Sequence, residues 1–391
     1  MSRPAGAQVA ALVTDGYWRK TVAAVRALGR AGAAADVSDP RRVAPAGFSR
    51  HCRRRLRSPD PTRAPEAFAA WAFRQAASRA YSLLLPTEEA SCLALSRARE
   101  GRPCAAWIPV PPPGPLEDAG DKLRAAERAQ AVGIPTPATR SFGPGDRLPP
   151  GGEWVLKPRR GTGARGLRRL RGGPEAGPLA RNLERRFGPL VLQSLVPGRR
   201  NGFGVSLLYD ARGRCRAAFV HRKLREYPAS GGVSTCAESV HRPDLVALAR
   251  RYVEGEPRLP WQGLVNLEFK VHPADGTPRL LEVNPRLWGS VALAVRAGID
   301  FPALLWELSL GRDPPPAFAC REGVRLRWTV YGELAHAWQR LRRGEIPWDV
   351  LGEESHGDFL WDPADPLPFW TSLAAWGLAL GTPEVWAWLR R

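Results

Sequence analysis

Residues 263–290, GLVNLEFKVHPADGTPRLLEVNPRLWGS, constrain this chain more than any other stretch. Two alternating apolar and polar runs flank Asp275-Gly276, a pair suited to a tight turn between antiparallel strands. With a five-residue loop, Pro273 to Thr277, His272 faces Pro278 and Glu268 falls opposite Glu282. Side chains alternate along a strand, so Asn266, Glu268 and Lys270 share a face with Glu282 and Asn284. Val265, Leu267, Phe269, Val271, Leu281 and Val283 then face a core. Two carboxylates directly opposite repel each other unless a cation lies between them. Oxygen donors from Glu and Asn suit Mg2+, which keeps waters and phosphate oxygens as its other ligands. A plain surface hairpin would set Lys or Arg opposite Glu, and would have no use for Asn284-Pro285-Arg286 at the strand end.

The chain before this hairpin reads as alternating strands and helices. An apolar run at 8–14 ends at Asp15-Gly16, a helix covers about 18–30, and a strand covers 34–37. A helix near 65–79 leads into a strand at 81–85 that ends in Pro86-Thr87-Glu88-Glu89. This pattern predicts a parallel α/β layer domain over residues 1–115, closed by the stiff connector PVPPPGP at 109–115. A helix over 118–132 stops at Gly133. Strands follow at 153–158, 190–196, 202–209 and 215–223, with a glycine-rich turn at Gly161–Gly166 and the close of a hairpin at 166–170. Residues 313–391 are rich in Trp and Pro, and 367–381 reads as a core helix rather than a membrane-docking one.

Composition narrows the partners. The chain has 391 residues, 58 Lys+Arg and 38 Asp+Glu, for a formal charge of +20. The basic residues are scattered, there is no basic tail, and the densest run, Arg50–Arg57, lacks interleaved aromatic residues. That favours a solvated Arg-rich surface over nucleic-acid binding. Only five basic residues are Lys (20, 122, 157, 223 and 270), and only four residues are Asn (182, 201, 266 and 284). Against such a bias, a Lys that survives marks a place needing a compact ammonium. The six cysteines show neither a Cys-x-x-Cys pair nor zinc spacing and read as inert thiols. With no signal peptide and no apolar run of transmembrane length, the chain is expected to be cytoplasmic.

At Glu268 and Glu282-Val283-Asn284-Pro285-Arg286 the chain resembles the ATP-grasp superfamily. The resemblance implies that Glu268, Glu282 and Asn284 hold one or two Mg2+ (or Mn2+) ions on the ATP phosphates. It implies that Arg286 and Lys157 serve catalysis. Lys122, Lys157 and the turn Gly161, Thr162, Gly163 and Gly166 would contact ATP. Leu192–Gly198 resembles the adenine hinge, with Gln193, Ser194, Leu195 and Val196 at the base; many relatives carry an acid where Gln193 stands. Substrate contacts are expected from Arg225, Gly231, Gly232, Ser234 and Thr235 in a loop, with Asp15 and Glu88 at strand ends of the first domain.

The implied organisation is an α/β (α+β) ATP-grasp fold. It comprises a pre-ATP-grasp domain at 1–115, an ATP-grasp domain at 116–312 with its lid at about 150–192, and a helical extension at 313–391. The implied activity is that of an ATP-dependent carboxylate–amine ligase working through an acyl phosphate, on a small-molecule carboxylate and a nucleophile. A homodimer is compatible with it. Two alternatives remain open at this stage: a carboxyphosphate-forming enzyme and a non-enzymatic binder of anionic surfaces. Downstream of the hairpin there is no second ATP-grasp copy and no biotinyl Met-Lys-Met, which argues against a carbamoyl-phosphate synthase of the duplicated type.

Overall fold

The computed structural model describes residues 9–379, apart from 79, 100, 101, 103, 162, 172–175, 229–231, 343, 347–349 and 351–354. Strands β1 (Ala10–Val13), β2 (Ala34–Asp39), β3 (Cys52–Arg57) and β4 (Tyr81–Leu85) form one sheet in the order β3-β2-β1-β4. All its pairings are parallel. Helix α1 (Arg19–Arg30) links β1 to β2 and buries Val22, Val25 and Leu28. Helices α2 (Pro65–Ser78) and α3 (Glu89–Ala98) cover the other face, where Phe68, Phe73, Leu84 and Leu95 pack together. Strand β1 lies between β2 and β4, and the carboxyl ends of β1 and β4 lead to Asp15 and Glu88.

The arginines of the Arg-rich run 50–57 are exposed, as expected, and Cys52–Arg57 forms the edge strand β3, which the sequence did not suggest. Arg53 grips the buried Asp36 of β2 through two bonds of 2.8 and 2.9 Å. Cations along an exposed edge also discourage strand addition by other chains.

Helix α4 (Pro113–Gly120) begins inside the Pro-rich connector. The helix expected at 118–132 is instead broken at Asp121, whose extended backbone (φ −95°, ψ 112°) starts α5 (Lys122–Ala131). The Asp121 carboxylate caps α5 by accepting from the N–H groups of Leu123 and Arg124. The break makes Lys122 the first residue of a helix. Strands β5 (Thr139–Phe142), β6 (Trp154–Pro158), β7 (Arg168–Leu170) and β8 (Leu190–Ser194) form an antiparallel sheet ordered β5-β8-β6-β7. Helix α6 (Ala176–Phe187) closes it over Phe142, Leu156, Leu183 and Leu192.

The central sheet runs β13-β12-β9-β10-β11-β14. Its strands are β9 (Gly202–Tyr209), β10 (Cys215–Tyr227), β11 (Val233–Ser239), β12 (Gly263–Val271), β13 (Pro278–Asn284) and β14 (Arg325–Arg327). Val205, Leu207, Val265, Leu267 and Val283 pack one face onto α5 and onto α7 (Pro243–Glu254). On the other face, Leu208, Phe219 and Leu264 join α1, α8 (Val291–Ala297) and α9 (Phe301–Ser309) in a shared core.

Chain 221–235 was expected to be a substrate loop. Most of it is strand, because β10 continues to Tyr227 and β11 starts at Val233. The tail folds back onto the first domain. Tyr331, Phe359 and Leu360 enter the shared core, and the helix Leu367–Ala379 packs Phe369, Leu373 and Trp376 against it. No helix among the described residues is long and apolar enough to cross a membrane.

Candidate functional site

The hairpin carries the expected register from Asn266 to Glu268. Asn266 pairs with Asn284, Leu267 with Val283, and Glu268 with Glu282. Beyond Glu268 the pairing slips by one residue, so that Phe269 faces Leu280 and Val271 faces Pro278. The loop therefore spans six residues, 272–277. The bulge turns Leu280 into the core and leaves Leu281 half-buried, the reverse of the expected placement of Leu281. The slip begins only after the carboxylate pair, so the two acids stay side by side.

All five lysines gather around this pair or along its continuation. Lys223 of β10 lies 2.6 Å from Glu268 Oε2 and 3.3 Å from Glu226 Oε1. Lys122 donates to the Gly161 carbonyl at 2.8 Å and lies 3.9 Å from Glu282. Lys157 on β6 donates to Gln193 Oε1 at 2.8 Å, and Lys270 donates to the Val196 carbonyl at 2.8 Å. Lys20 lies 2.6 Å from Glu88 and donates to the Leu287 carbonyl at 3.1 Å. Sequence reasoning gave Lys122 and Lys157 a role at the phosphates and set Lys270 on the face of the two acids, without a role. The rarity of lysine was the signal for the other three.

These charges separate the two acids. Burial pushes both carboxyls up. For Glu282 the ammonium groups of Lys122, Lys157 and Lys223 overcome burial and hold its carboxyl below the usual range. Glu268 stays raised by burial and by Glu282 despite Lys223. Burial lowers Lys157 to about 8, against the pull of Glu282.

Asn284 Nδ2 donates to Glu282 Oε1 at 3.3 Å, while its Oδ1 accepts from Arg286 Nη2 at 3.1 Å. Among the described residues no group of three or more His, Cys, Asp or Glu side chains could hold a metal. The donor set here is different: two facing carboxylates and one amide oxygen. An oxygen-only set of this kind fits a hard cation that keeps other ligands from solvent or phosphate.

The glycine turn sits where Lys122 reaches it. Gly161, Gly163 and Gly166 have φ of 103°, 71° and 74°, in the left-handed region that favours glycine. A Cβ at Gly166 would lie 3.0 Å from both Pro158 and Phe187. Thr162 lies outside the described residues, as does Gly231.

At the expected hinge several groups are already engaged. Gln193 is buried and donates to Thr139 Oγ1 while accepting from Lys157, so a neutral side chain orients that lysine. The Ser194 and Leu195 N–H groups donate to Ala138 and Glu153 carbonyls.

The chain after Asn284 leads toward the first domain. Arg286 Nη1 donates to the Leu287 carbonyl at 2.9 Å. Its charge, with that of Lys20, holds Glu88 below the usual carboxylate range against burial. Asp15 is buried and accepts from Thr14 and Ser91 hydroxyls and from the N–H groups of Thr87 and Glu88. It therefore positions Glu88. Arg225 is buried against Glu333 of the tail at 2.5 Å, a partner the sequence did not suggest. Ser234 and Thr235 lie on β11, and Gly232 precedes it.

Residues 186–330 match the protein family described as ATP-grasp in the biosynthetic pathway with Ter operon. The chain has the ATP-grasp fold. Similar solved ATP-grasp structures include an L-amino acid ligase from Bacillus licheniformis, at 17% identity and TM-score 0.59 over 79% of this chain and 75% of that one. N5-carboxyaminoimidazole ribonucleotide synthetase from Thermus thermophilus is 20% identical at TM-score 0.61, over 81% and 82% of the two chains. The biotin carboxylase domain of Hydrogenobacter thermophilus 2-oxoglutarate carboxylase, solved with MgADP, ADP and bicarbonate, is 15% identical at TM-score 0.63 over 81% and 73%. A comparison with curated protein sequences finds no match.

Proposed function

We propose that this ATP-grasp protein is an ATP- and Mg2+-dependent ligase that activates a small carboxylate as an acyl phosphate for attack by an amine or another nucleophile. The observation that carries the reading is Glu268 facing Glu282 in register, with lysines from three other elements converging on the pair. Repelling acids ringed by ammonium groups are a costly arrangement for a plain surface and a useful one for polyphosphate with its cation. The names of the similar structures include carboxylate-activating enzymes, which supports the same reading.

Glu282, Glu268 and Asn284 would hold the metal, which supplies charge neutralisation on the β- and γ-phosphates; Mn2+ would fit the same oxygen donors. Lys122, Lys157 and the N–H groups of the glycine turn bind the phosphates. The substrate carboxylate oxygen attacks the γ-phosphorus, the bond to the bridging oxygen breaks, and ADP leaves. Arg286 stabilises the charge of the transferred group. The nucleophile then attacks the acyl carbon, loses a proton, and expels phosphate. The glycine turn excludes water from the acyl phosphate.

Small carboxylates, bicarbonate included, are screened with amines for stimulated ADP release. The active carboxylate is then labelled with 18O. The ligase reading predicts one 18O in the released phosphate and roughly 100-fold slower turnover in Glu282→Gln. Unlabelled phosphate contradicts an acyl phosphate. Activity confined to bicarbonate assigns the carboxyphosphate alternative.

A further inference from the structure

The loop after the metal-binding strand continues into a second cluster that the phosphate chemistry does not use. Arg19, at the start of α1, donates from Nε to the Gly289 carbonyl at 3.0 Å and from Nη2 to the Ser234 carbonyl at 3.2 Å. Its guanidinium lies 3.9 Å over the Trp328 ring and 4.9 Å from the Phe359 ring, both supplied by the tail. Asp358 is the charge nearby, but its carboxylate accepts from the N–H groups of Thr329, Leu360 and Trp361. Burial without a paired carboxylate lowers Arg19 to about 9.

Other polar groups beside Arg19 are buried without hydrogen-bond partners among the described residues. They are Arg19 Nη1 itself, Thr235 Oγ1, the Tyr331 hydroxyl, Trp328 Nε1 and Glu333 Oε1. Thr235 is 0% exposed, Glu333 2% and Tyr331 5%. They adjoin one another. Trp328 N–H donates to the Thr235 carbonyl, and the Trp328 and Tyr331 rings are 5.8 Å apart. A Cβ at Gly332 would lie 2.9 Å from the Thr235 side chain, so only glycine lets this turn approach β11. A buried set of donors and acceptors left unsatisfied costs stability unless a ligand completes it.

We propose that Arg19, Thr235 and Tyr331 bind a carboxylate that is not the one activated, namely the free carboxylate of an amino-acid-sized amine substrate. This rests on the ligase reading above. A guanidinium with an unused N–H, and two hydroxyls without partners on residues linked through Trp328, match the acceptor pattern of a carboxylate. The orphan oxygen of Glu333 gives the same cluster an acceptor suited to an ammonium. Chain order supports the placement: Glu282 and Asn284 at the metal, Arg286 at the transferred group, Leu287 on Lys20, then Gly289 on Arg19. The tail residues Trp328–Glu333 thereby become a wall of the substrate pocket.

The probes are the twenty standard L-amino acids and, for those that act, their α-carboxamides, each with MgATP. The expected result is that at least one amino acid stimulates ADP release and raises Tm further than MgATP alone, whereas its carboxamide does not. Arg19→Gln and the milder Tyr331→Phe raise KM for that amino acid by roughly tenfold or more and leave KM for MgATP within about twofold. Arg19→Gln also narrows the preference for acid over amide. An unchanged amino-acid KM in both variants overturns the proposal, as does equal use of acid and amide by the parent. Parallel loss of ATP and amino-acid affinity would make Arg19 purely structural and also overturns it. If MgATP raises Tm and no amino acid acts, this pocket assignment fails and the ligase reading stands. If MgATP itself leaves Tm unchanged, the ligase reading fails and takes the proposal with it.

Discussion

Lys157 is the residue whose chemistry is most exposed to test. Its folded pKa of about 8 lies below the 10.5 of a free lysine, so folding disfavours its charge. That penalty is present in full below pH 8 and is relieved as pH rises from about 8 toward 10.5. Bound phosphates reverse the preference, so MgATP binding near pH 9 takes up a proton at Lys157, which is then only about a tenth protonated in the free protein. Calorimetry in buffers of different ionisation enthalpy reads this uptake. Gln193→Glu places a carboxylate where Gln193 Oε1 now accepts from Lys157, keeps the lysine charged, and reduces the uptake. Unchanged uptake in that variant would show that Gln193 does not set the state of Lys157. The sequence marked Lys157 through its strand and Gln193 as a departure from relatives. Their contact at 2.8 Å was not legible, because 36 residues separate them and no local pattern encodes the pairing of β6 with β8.

At the scale of elements, the hairpin of Glu268 and Glu282 was legible because strand alternation and one turn fix which side chains share a face. The bulge was not, since a one-residue slip leaves the alternation of β12 intact and shows only in where Leu280 and Leu281 point. The Arg-rich edge strand β3 was missed because its partner for Arg53, the buried Asp36, lies on another strand. The tail offered no motif, and its attachment is a buried ion pair. Arg26 of α1 donates to Asp365 Oδ2 at 2.8 Å, and Asp365 also accepts from Ser49 Oγ and the Arg50 N–H. The two side chains are 7% and 4% exposed. Asp365→Ala leaves Arg26 charged and buried, which costs about 3–5 kcal/mol. Urea unfolding measures it, and a loss below about 1 kcal/mol would mean that the tail does not depend on this contact.

For the whole molecule, the charge of +20 first suggests an anionic polymer as partner. The structure shows many arginines in local pairs, such as Arg53 with Asp36, Arg216 with Asp313 and Arg225 with Glu333. The five lysines instead gather at one central sheet and the loop that leaves it, Lys223 and Lys270 on its own strands, Lys122 on α5, Lys157 on β6 and Lys20 on α1. The parallel layer contributes Lys20 and Glu88, the small antiparallel sheet contributes Lys157 and the glycine turn, and the central sheet contributes the facing acids. We propose that this convergence is a site for ATP with its metal. Calorimetric titration of ATP with and without Mg2+, into the parent and into Glu282→Gln, tests it directly. The account predicts saturable binding to the parent that is strengthened by Mg2+, and loss of the Mg2+ effect in Glu282→Gln. Equal, Mg2+-independent binding by both proteins would contradict it.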